Sequence, residues 1–498
     1  MFFRVVAVIL YSAASLSAAD INDVNELAAA ARNGGDYTIA GGIYYLSQAL
    51  EPNQNLVFLK NTTLVPVEGN VTIDCQYLHG VCFQDANYLI GDPCGTFRIS
   101  FRKGYFDTAA IQAVNADVNA IFYYCDFSIA NMRNGLTAGV GLGYSAKSVL
   151  NFCTSYSNHN DGFSLKNELG SGLTDKNVMI LNSCKAYWNN DNATTAHDDG
   201  QVMIINGGEY YSNIHCHVYT GPDDTRGASL YLQNGAKTYN NYGWSIKMDQ
   251  KANLFIDDAS IISGSYVSET IMLTGTGVYV INSLNLDNNM KNCDGIRINN
   301  PFCSFTITNS IIKKANYYAQ YGILVKSCMM GKISCCTFYQ NYGHYASYSE
   351  NLVLTNNIFS NASDRAIVNV GVPFYKNGQG NGWNLFYANS GGDFGYYGDD
   401  YKETDLAETN PQFVSPQTGD FRLRPTSPCV GAGKPYAVSG RPNIGAWQEN
   451  DNSVVVPITC PEPLRMDFNG DCKVDFADFA IFSESWLDCG LQPETACW

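Results

Sequence analysis

The chain of 498 residues has a formal net charge of −16, with 45% hydrophobic and only 15% charged residues, against roughly 25% charged in an average soluble domain. Glycine (45), tyrosine (33) and phenylalanine (25) are abundant; these residues favour turns and strands, which sets aside a disordered chain or a helical bundle. The acidity argues against nucleic acid and anionic membrane surfaces, which need a basic face to displace counterions, and seventeen cysteines, an odd number, cannot form a complete internal disulfide framework.

Residues 1–19 read as a secretory signal peptide. Arg4 forms a short basic start, Val5 to Leu16 an apolar core, and the small residues Ser17 and Ala19 sit at −3 and −1 of a cleavage site. The apolar core is shorter than the roughly 20 residues a membrane-spanning helix needs, and no later stretch is longer. The expectation is an exported, extracellular protein without a transmembrane segment, in a compartment that permits disulfides. The run from Asp23 to Ala31 then predicts a helix, with a capping box from Asp23 to Glu26 and a stop at Gly34 and Gly35.

From about residue 149 the sequence repeats. Val149-Leu-Asn-Phe-Cys153, Met179-Ile-Leu-Asn-Ser-Cys184, Met203-Ile-Ile-Asn206, Tyr231-Leu-Gln-Asn234, Phe255-Ile-Asp257, Val280-Ile-Asn282, Thr306-Ile-Thr-Asn309, Ile333-Ser-Cys335 and Leu354-Thr-Asn356 each place a short apolar strand before a polar residue, usually Asn. Taking Asn151, Asn182, Asn206, Asn234, Asp257, Asn282, Asn309, Cys335 and Asn356 as anchors gives steps of 31, 24, 28, 23, 25, 27, 26 and 21 residues. A second strand follows each anchor, commonly opened by Gly: Asp161-Gly-Phe-Ser-Leu-Lys166, Tyr242-Gly-Trp-Ser-Ile-Lys247, Asp294-Gly-Ile-Arg-Ile298 and Tyr321-Gly-Ile-Leu-Val-Lys326. Short strands with Gly and Asn corners at a fixed period describe a parallel β-helix, in which each coil buries its apolar face only by stacking on its neighbours. The anchors are expected to form an inward Asn ladder. Cys125, Cys153 and Cys184, which fall one per turn, are expected as stacked free thiols, since no CxxC spacing accompanies them.

The β-helix closes with Asn410-Pro-Gln-Phe-Val414, Gly419-Asp-Phe-Arg-Leu423, Ser427-Pro428, Gly431-Ala-Gly433 and Asn443-Ile-Gly-Ala-Trp447. With the capping helix, the Asp36-to-Tyr45 segment and the repeats, this ending resembles the right-handed parallel β-helix proteins of the pectate-lyase-like superfamily over residues 20–448. The resemblance implies an all-β solenoid. It leaves activity open, because the superfamily includes lyases, hydrolases, epimerases and non-enzymatic adhesins. The domain plan is therefore a signal peptide (1–19), a β-helix (20–449), a linker (450–459) and a small C-terminal module (460–498).

In that module Asp467, Asn469, Asp471, Asp475 and Asp478 supply side-chain oxygens at positions 1, 3, 5, 9 and 12 of an EF-hand-type loop, with the Lys473 carbonyl at position 7. Cys472 replaces the usual Gly and Asp478 the usual bidentate Glu. The spacing predicts Ca²⁺ binding. With the helical pattern from Phe476 to Leu487 it resembles one half of a type I dockerin, which implies a cohesin-like or cell-surface partner; the other reading is a calcium-stabilised tail without a partner. Cys460, Cys472, Cys489 and Cys497 are expected to staple this small piece with two disulfides.

Candidate chemistry gathers in the middle of the coil. Four of the six histidines, His159, His197, His215 and His217, lie beside Asp198, Asp199, Asp223, Asp224 and Arg226. Counted from the anchors, Lys166 and His197 fall at the same position of adjacent turns and Lys247 close to it two turns on, so one groove would carry all three. β-Elimination on a uronate glycan needs a cation or Ca²⁺ on the carboxylate and a base of lowered pKa. Lys247 or His197 is the candidate base, Lys166 or Arg226 the carboxylate clamp, and Asp161, Asp198 or Asp199 candidate groove calcium ligands. The pattern around Asp161 and Lys247 is similar to calcium-dependent β-helical pectate lyases, although a further Asp after Asp198-Asp199 is missing. Two alternatives stay open. A polygalacturonase-type hydrolase would use Asp161, Asp198, Asp199, His215 to His217 and Ser245 to Lys247, without the Gly-His-Gly such enzymes carry. A binding solenoid would stack sugars on Tyr187, Trp188, Tyr210, Tyr211 and Trp244. In each case the substrate or ligand is a polysaccharide.

Overall fold

The computed structural model describes residues 19–446 apart from residues 53, 85, 105–110, 115–118, 130–137, 143–146, 166–176, 198–199, 221–226, 264–268, 290, 316, 319, 350, 370–374, 377, 396–398 and 436–441. Residues 1–18 of the expected signal peptide, and the whole of the expected linker and calcium-loop module, lie outside the described residues. So do Lys166, Asp198, Asp199 and Arg226, and the side chain of His197.

The described chain is a parallel β-solenoid. One turn runs Lys147–Asn151, Thr154–Tyr156 and Asp161–Leu165, and the next runs Val178–Asn182, Lys185–Tyr187 and Asn192–His197. The first two strands of each turn belong to one sheet, of 23 strands, and the third to a second sheet of 13. Strand pairs within these two sheets are parallel, turn on turn in register, as Leu150 on Leu181 and Leu181 on Ile205. That column continues through Leu232, Ile256, Ile281, Ile307, Ile333 and Leu354, all at most 2% exposed. Burying each such aliphatic contributes about 2 kcal/mol, and no turn could achieve it alone.

One α-helix lies among the described residues, Val24–Asn33. The Asp23 carboxylate accepts from the N–H groups of Asn25 and Glu26, and the Glu26 carboxylate accepts from Asn22 N–H, so the expected cap forms. Its Val24, Leu27, Ala28 and Ala31 are buried over the first turn, where it meets strand Leu56–Phe58. At the other end the antiparallel pair Phe413–Ser415 and Asp420–Leu423 places Phe413 and Phe421 edge-on to Tyr339.

Two expectations about the repeat need correcting. Asn151, Asn182 and Asn206 do form a ladder, each amide donating to the one before at 2.9 and 2.7 Å, but it is half-exposed on the outside of the first sheet. The column then passes through Gln233, Asp257, Asn282, Thr308, Ser334 and Thr355. Asn234, Asn309, Cys335 and Asn356 each lie one place later, at positive φ. The inward ladder is a different set, Asn158, Asn189, Asn213 and Asn241, at most 2% exposed and linked by side-chain bonds of 2.9, 2.9 and 3.2 Å. Here the strand alternation decides: Leu150 points in, so Asn151 must point out.

The buried ladder also explains the glycines that open the second-sheet strands. A Cβ at Gly162, Gly295 or Gly322 would lie 2.7, 3.0 or 2.9 Å from the amide nitrogen of Asn189, Asn288 or Asn341. Cys125, Cys153 and Cys184 are free and fully buried as expected. The Cys184 thiol donates to the Leu150 carbonyl at 3.3 Å, and burial pushes the Cys125 and Cys184 thiols up.

Candidate functional site

The outer face of the second sheet collects the candidate residues. His197 and Lys247 both lie on strands of this sheet, but not at the same register. Val218 pairs with Lys247, whereas His197 pairs with Thr220 and Thr220 with Asp249. The segments Asp161 to Lys166 and Tyr242 to Lys247 are thus offset by two residues: Phe163 matches Thr194, His217 and Ile246 in turn. A slip of two preserves facing and moves a residue by one pleat. Lys247 therefore stacks in the column of Ser164, Thr195 and Val218, and Asp249 occupies the place expected for the lysine. Lys326 likewise falls outside the Lys247 column, which runs through Met272, Arg297 and Leu324.

Around Lys247 the geometry is specific. Its Nζ lies 2.7 Å from Asp249 Oδ2 and 4.8 Å from the centre of the Trp244 ring. The His215 imidazole stacks on the same indole, 4.6 Å from the Trp244 ring at 22°. Asp249 also accepts from the Thr274 hydroxyl. Gly243 makes the stack possible, because a Cβ there would lie 1.9 Å from His215 Nδ1. His215 Nδ1 accepts from Trp244 N–H at 3.2 Å, which places the ring proton on Nε2. Burial, together with the nearby Lys247 ammonium and against the pull of Asp191, lowers the His215 pKa, so the ring is a neutral donor. The Trp244 indole nitrogen is buried and has no hydrogen-bond partner among the described residues. Two turns beyond Lys247 in the same column, Arg297 pairs with Glu269 and, at 3.3 Å, with Asp294. Burial pushes the Asp294 carboxyl up to about 6.

Other candidates separate from this site. Asp161 is 2% exposed and accepts from Asn192 Nδ2 at 2.7 Å and Asn192 N–H at 3.2 Å; burial pushes its pKa up to about 7. Its bonds run between turns, to the strand of Asn192. His217 points into the core, bonded to the Thr194 and Thr238 hydroxyls and packed on Tyr210, with its pKa pushed down to about 3 by burial. Ser245 is buried. The hydrolase pattern thus loses Asp161, His217 and Ser245 to the interior. Tyr210 is also fully buried, whereas Tyr187 and Tyr211 belong to an outer stack on the first sheet, Tyr156, Tyr187, Tyr211 and Tyr239, at 5.2, 5.1 and 4.9 Å. No group of three or more His, Cys, Asp or Glu able to hold a metal ion occurs among the described residues.

Reading the sequence alone missed Asp249, Thr274 and the Arg297 cluster. The alternation of Lys247 and Asp249 around Met248 was the available signal for the first of these.

No protein-family model matches the chain, and no curated protein matches it. Among solved structures, it is similar to the A-module of the mannuronan C-5 epimerase AlgE4 from Azotobacter vinelandii, at 12% identity and a TM-score of 0.32, over 78% of this chain and 92% of that one. Pectate lyase Pel9A gives 13% identity and 0.32, over 88% and 98%. The alginate lyase AlyF-OU02, solved in complex with G6, gives 10% and 0.33, over 79% and 88%.

Proposed function

We propose that the chain is a polysaccharide lyase that cleaves a uronate-containing glycan by β-elimination on the outer face of the second sheet. The observation that carries this reading is the Lys247 ammonium held between Asp249 and the Trp244 ring, with neutral His215 stacked on the same indole. An aromatic plane beside a fixed cation suits a sugar ring with a carboxylate.

In β-elimination a base removes the proton α to the carboxylate. The electron pair forms a C=C bond, the glycosidic C–O bond breaks, and the leaving oxygen takes a proton. Lys247 is assigned as the carboxylate clamp rather than the base, since its ammonium is held by Asp249, which acts as a positioning residue. Trp244 holds the Lys247 ammonium and the His215 ring beside the bound sugar. The base is assigned to His197, one pleat along and toward the preceding turns, and Lys166, Arg226, Asp198 and Asp199 are proposed to flank it. Calcium in the groove would come from Asp198 and Asp199, not from Asp161. The C-terminal loop from Asp467 to Asp478 is proposed to bind Ca²⁺, with chelation expected to lower the melting temperature of the isotopically or proteolytically monitored tail. Export and a docking partner for that tail belong to the same reading.

The test is incubation of the full chain with polygalacturonate and alginate, with and without Ca²⁺. Lysis gives ultraviolet absorbance from the unsaturated product. Reducing ends without that absorbance would replace the lyase by a hydrolase, and neither signal with retained binding would leave a binding solenoid.

A further inference from the structure

At the corner between the two sheets an open groove of about 650 Å³ spans five consecutive turns. Trp188 stands on the first of these, Ser212 and Ile214 on the second, and Asn240 and Tyr242 on the third, with Lys291 also on the lining. Trp188 and Tyr242 are 63% and 61% exposed, the most open aromatic side chains among the described residues of this part of the coil. Single exposed aromatics need no explanation. Two on the walls of one concave, amide-lined groove do.

Trp188 is also held in place. Its ring meets Tyr187 edge-on at 5.0 Å and 85°, and Tyr187 is itself clamped between Tyr156 and Tyr211. Its backbone is fixed in a left-handed turn, φ 56°, by a bond from its N–H to the Ser212 carbonyl. The backbone of Tyr242 is fixed through its N–H to the Asn213 carbonyl at 2.9 Å, on the buried Asn ladder. Both aromatics are therefore presented on rigid corners, so little ordering is required when a ligand arrives. Turns lie about 4.8 Å apart, close to the length of one sugar residue in an extended glycan, and the two aromatics stand two turns apart. The lining carries amides and the Ser212 and Ser263 hydroxyls for sugar hydroxyls, and Lys291 is its one charged side chain among the described residues, in a protein of net charge −16.

We infer that this corner groove is a second, non-catalytic glycan-binding site, which takes an extended uronate-containing pyranose chain with sugar rings on Trp188 and Tyr242 and a carboxylate at Lys291. The inference does not depend on the cleavage reading, since neither aromatic lies in the Lys247 row.

Affinity electrophoresis of the full chain in gels containing alginate, polygalacturonate or a neutral hydroxyethylcellulose provides the test. Trp188→Ala and Tyr242→Ala are each expected to weaken retardation by a uronate polymer about tenfold, and the double variant to abolish most of it, while thermal melting and turnover of short oligouronates stay at the wild-type level. Lys291→Ala should weaken retardation by the uronate polymers and leave that by the neutral one unchanged. Undiminished retardation of the double variant would overturn the site. Equal retardation by the neutral polymer, insensitive to Lys291→Ala, would overturn the uronate assignment. Absence of cleavage by the wild type, with its retardation sensitive to these variants, would count against the lyase reading alone.

Discussion

The outer faces of the two sheets are built by opposite habits. On the first sheet, like sits on like: Asn151, Asn182 and Asn206 share amide bonds, and four tyrosines stack from Tyr156 to Tyr239. On the second sheet each turn differs, with Ser164, Thr195, Val218, Lys247, Met272 and Arg297 following one another in one column. Repetition is what a stack of coils needs for its own cohesion, because identical groups at the turn spacing satisfy one another. A column that breaks repetition while bringing together Lys, Asp, His and Trp gains nothing of that kind. Function is sought where the pattern stops.

Four tests, one of them a pair of variants, bear on this contrast. Lys247→Ala should cut glycan cleavage about 10³-fold, equivalent to about 4 kcal/mol in the barrier, while changing the unfolding free energy by less than about 1 kcal/mol, as for a partly exposed ion pair. Cleavage assays beside denaturant titration would decide it, and a variant that keeps its activity but loses stability would return Lys247 to the structural side. Asp161→Asn comes next. The raised folded pKa of about 7 means that the unfolded carboxyl ionises first as pH rises from about 4, while the folded one stays protonated. The wild type therefore loses stability relative to the Asn variant across that range, by up to about 4 kcal/mol, and the difference levels off above pH 7. Comparing both proteins at each pH removes the opposite contribution of His217 and His344, whose pKa values are pushed down to about 3 by burial and which therefore weaken the fold as pH falls below their unfolded values.

The third change separates the two ladders. Asn189→Ala strips the acceptor from the Asn158 N–H and amide, both buried, and should cost about 3 kcal/mol. Asn182→Ala, half-exposed on the outer ladder, should cost about 1 kcal/mol. Equal costs in urea would erase the distinction. The smallest effect is expected of Tyr211→Ala, which breaks the outer tyrosine stack and should cost about 1 kcal/mol with no change in cleavage.

Much of this architecture is legible in the residues. The period from Asn151 onward gives the coil, Asp23 and Glu26 give the cap, and the spacing of Cys125, Cys153 and Cys184 gives buried thiols. The inward ladder was equally visible, since Asn158, Asn189, Asn213 and Asn241 step by 31, 24 and 28 residues, as the outer anchors do. Periodicity alone does not say which of two Asn columns points in. That depends on where Leu150 and Leu181 turn their side chains. The site was harder to read because the Gly that opens a strand has two causes. Gly162 makes room for the Asn189 amide and Gly243 for the His215 ring, so aligning them slid Lys247 by one pleat. Asp249 lies two residues on in the strand of Lys247, and Thr274 comes from the next turn and carries no motif of its own.

The free thiols give this molecule a built-in gauge. Of the thirteen cysteines among the described residues, all but Cys94 are buried, and they are spread along the axis from Cys75 to Cys429. A thiol reagent can reach each one only when the turn above it lifts away, so its labelling rate measures the opening free energy of that level of the coil. Quantifying label at each position would chart, without any added probe, whether the solenoid frays from its ends or parts in the middle.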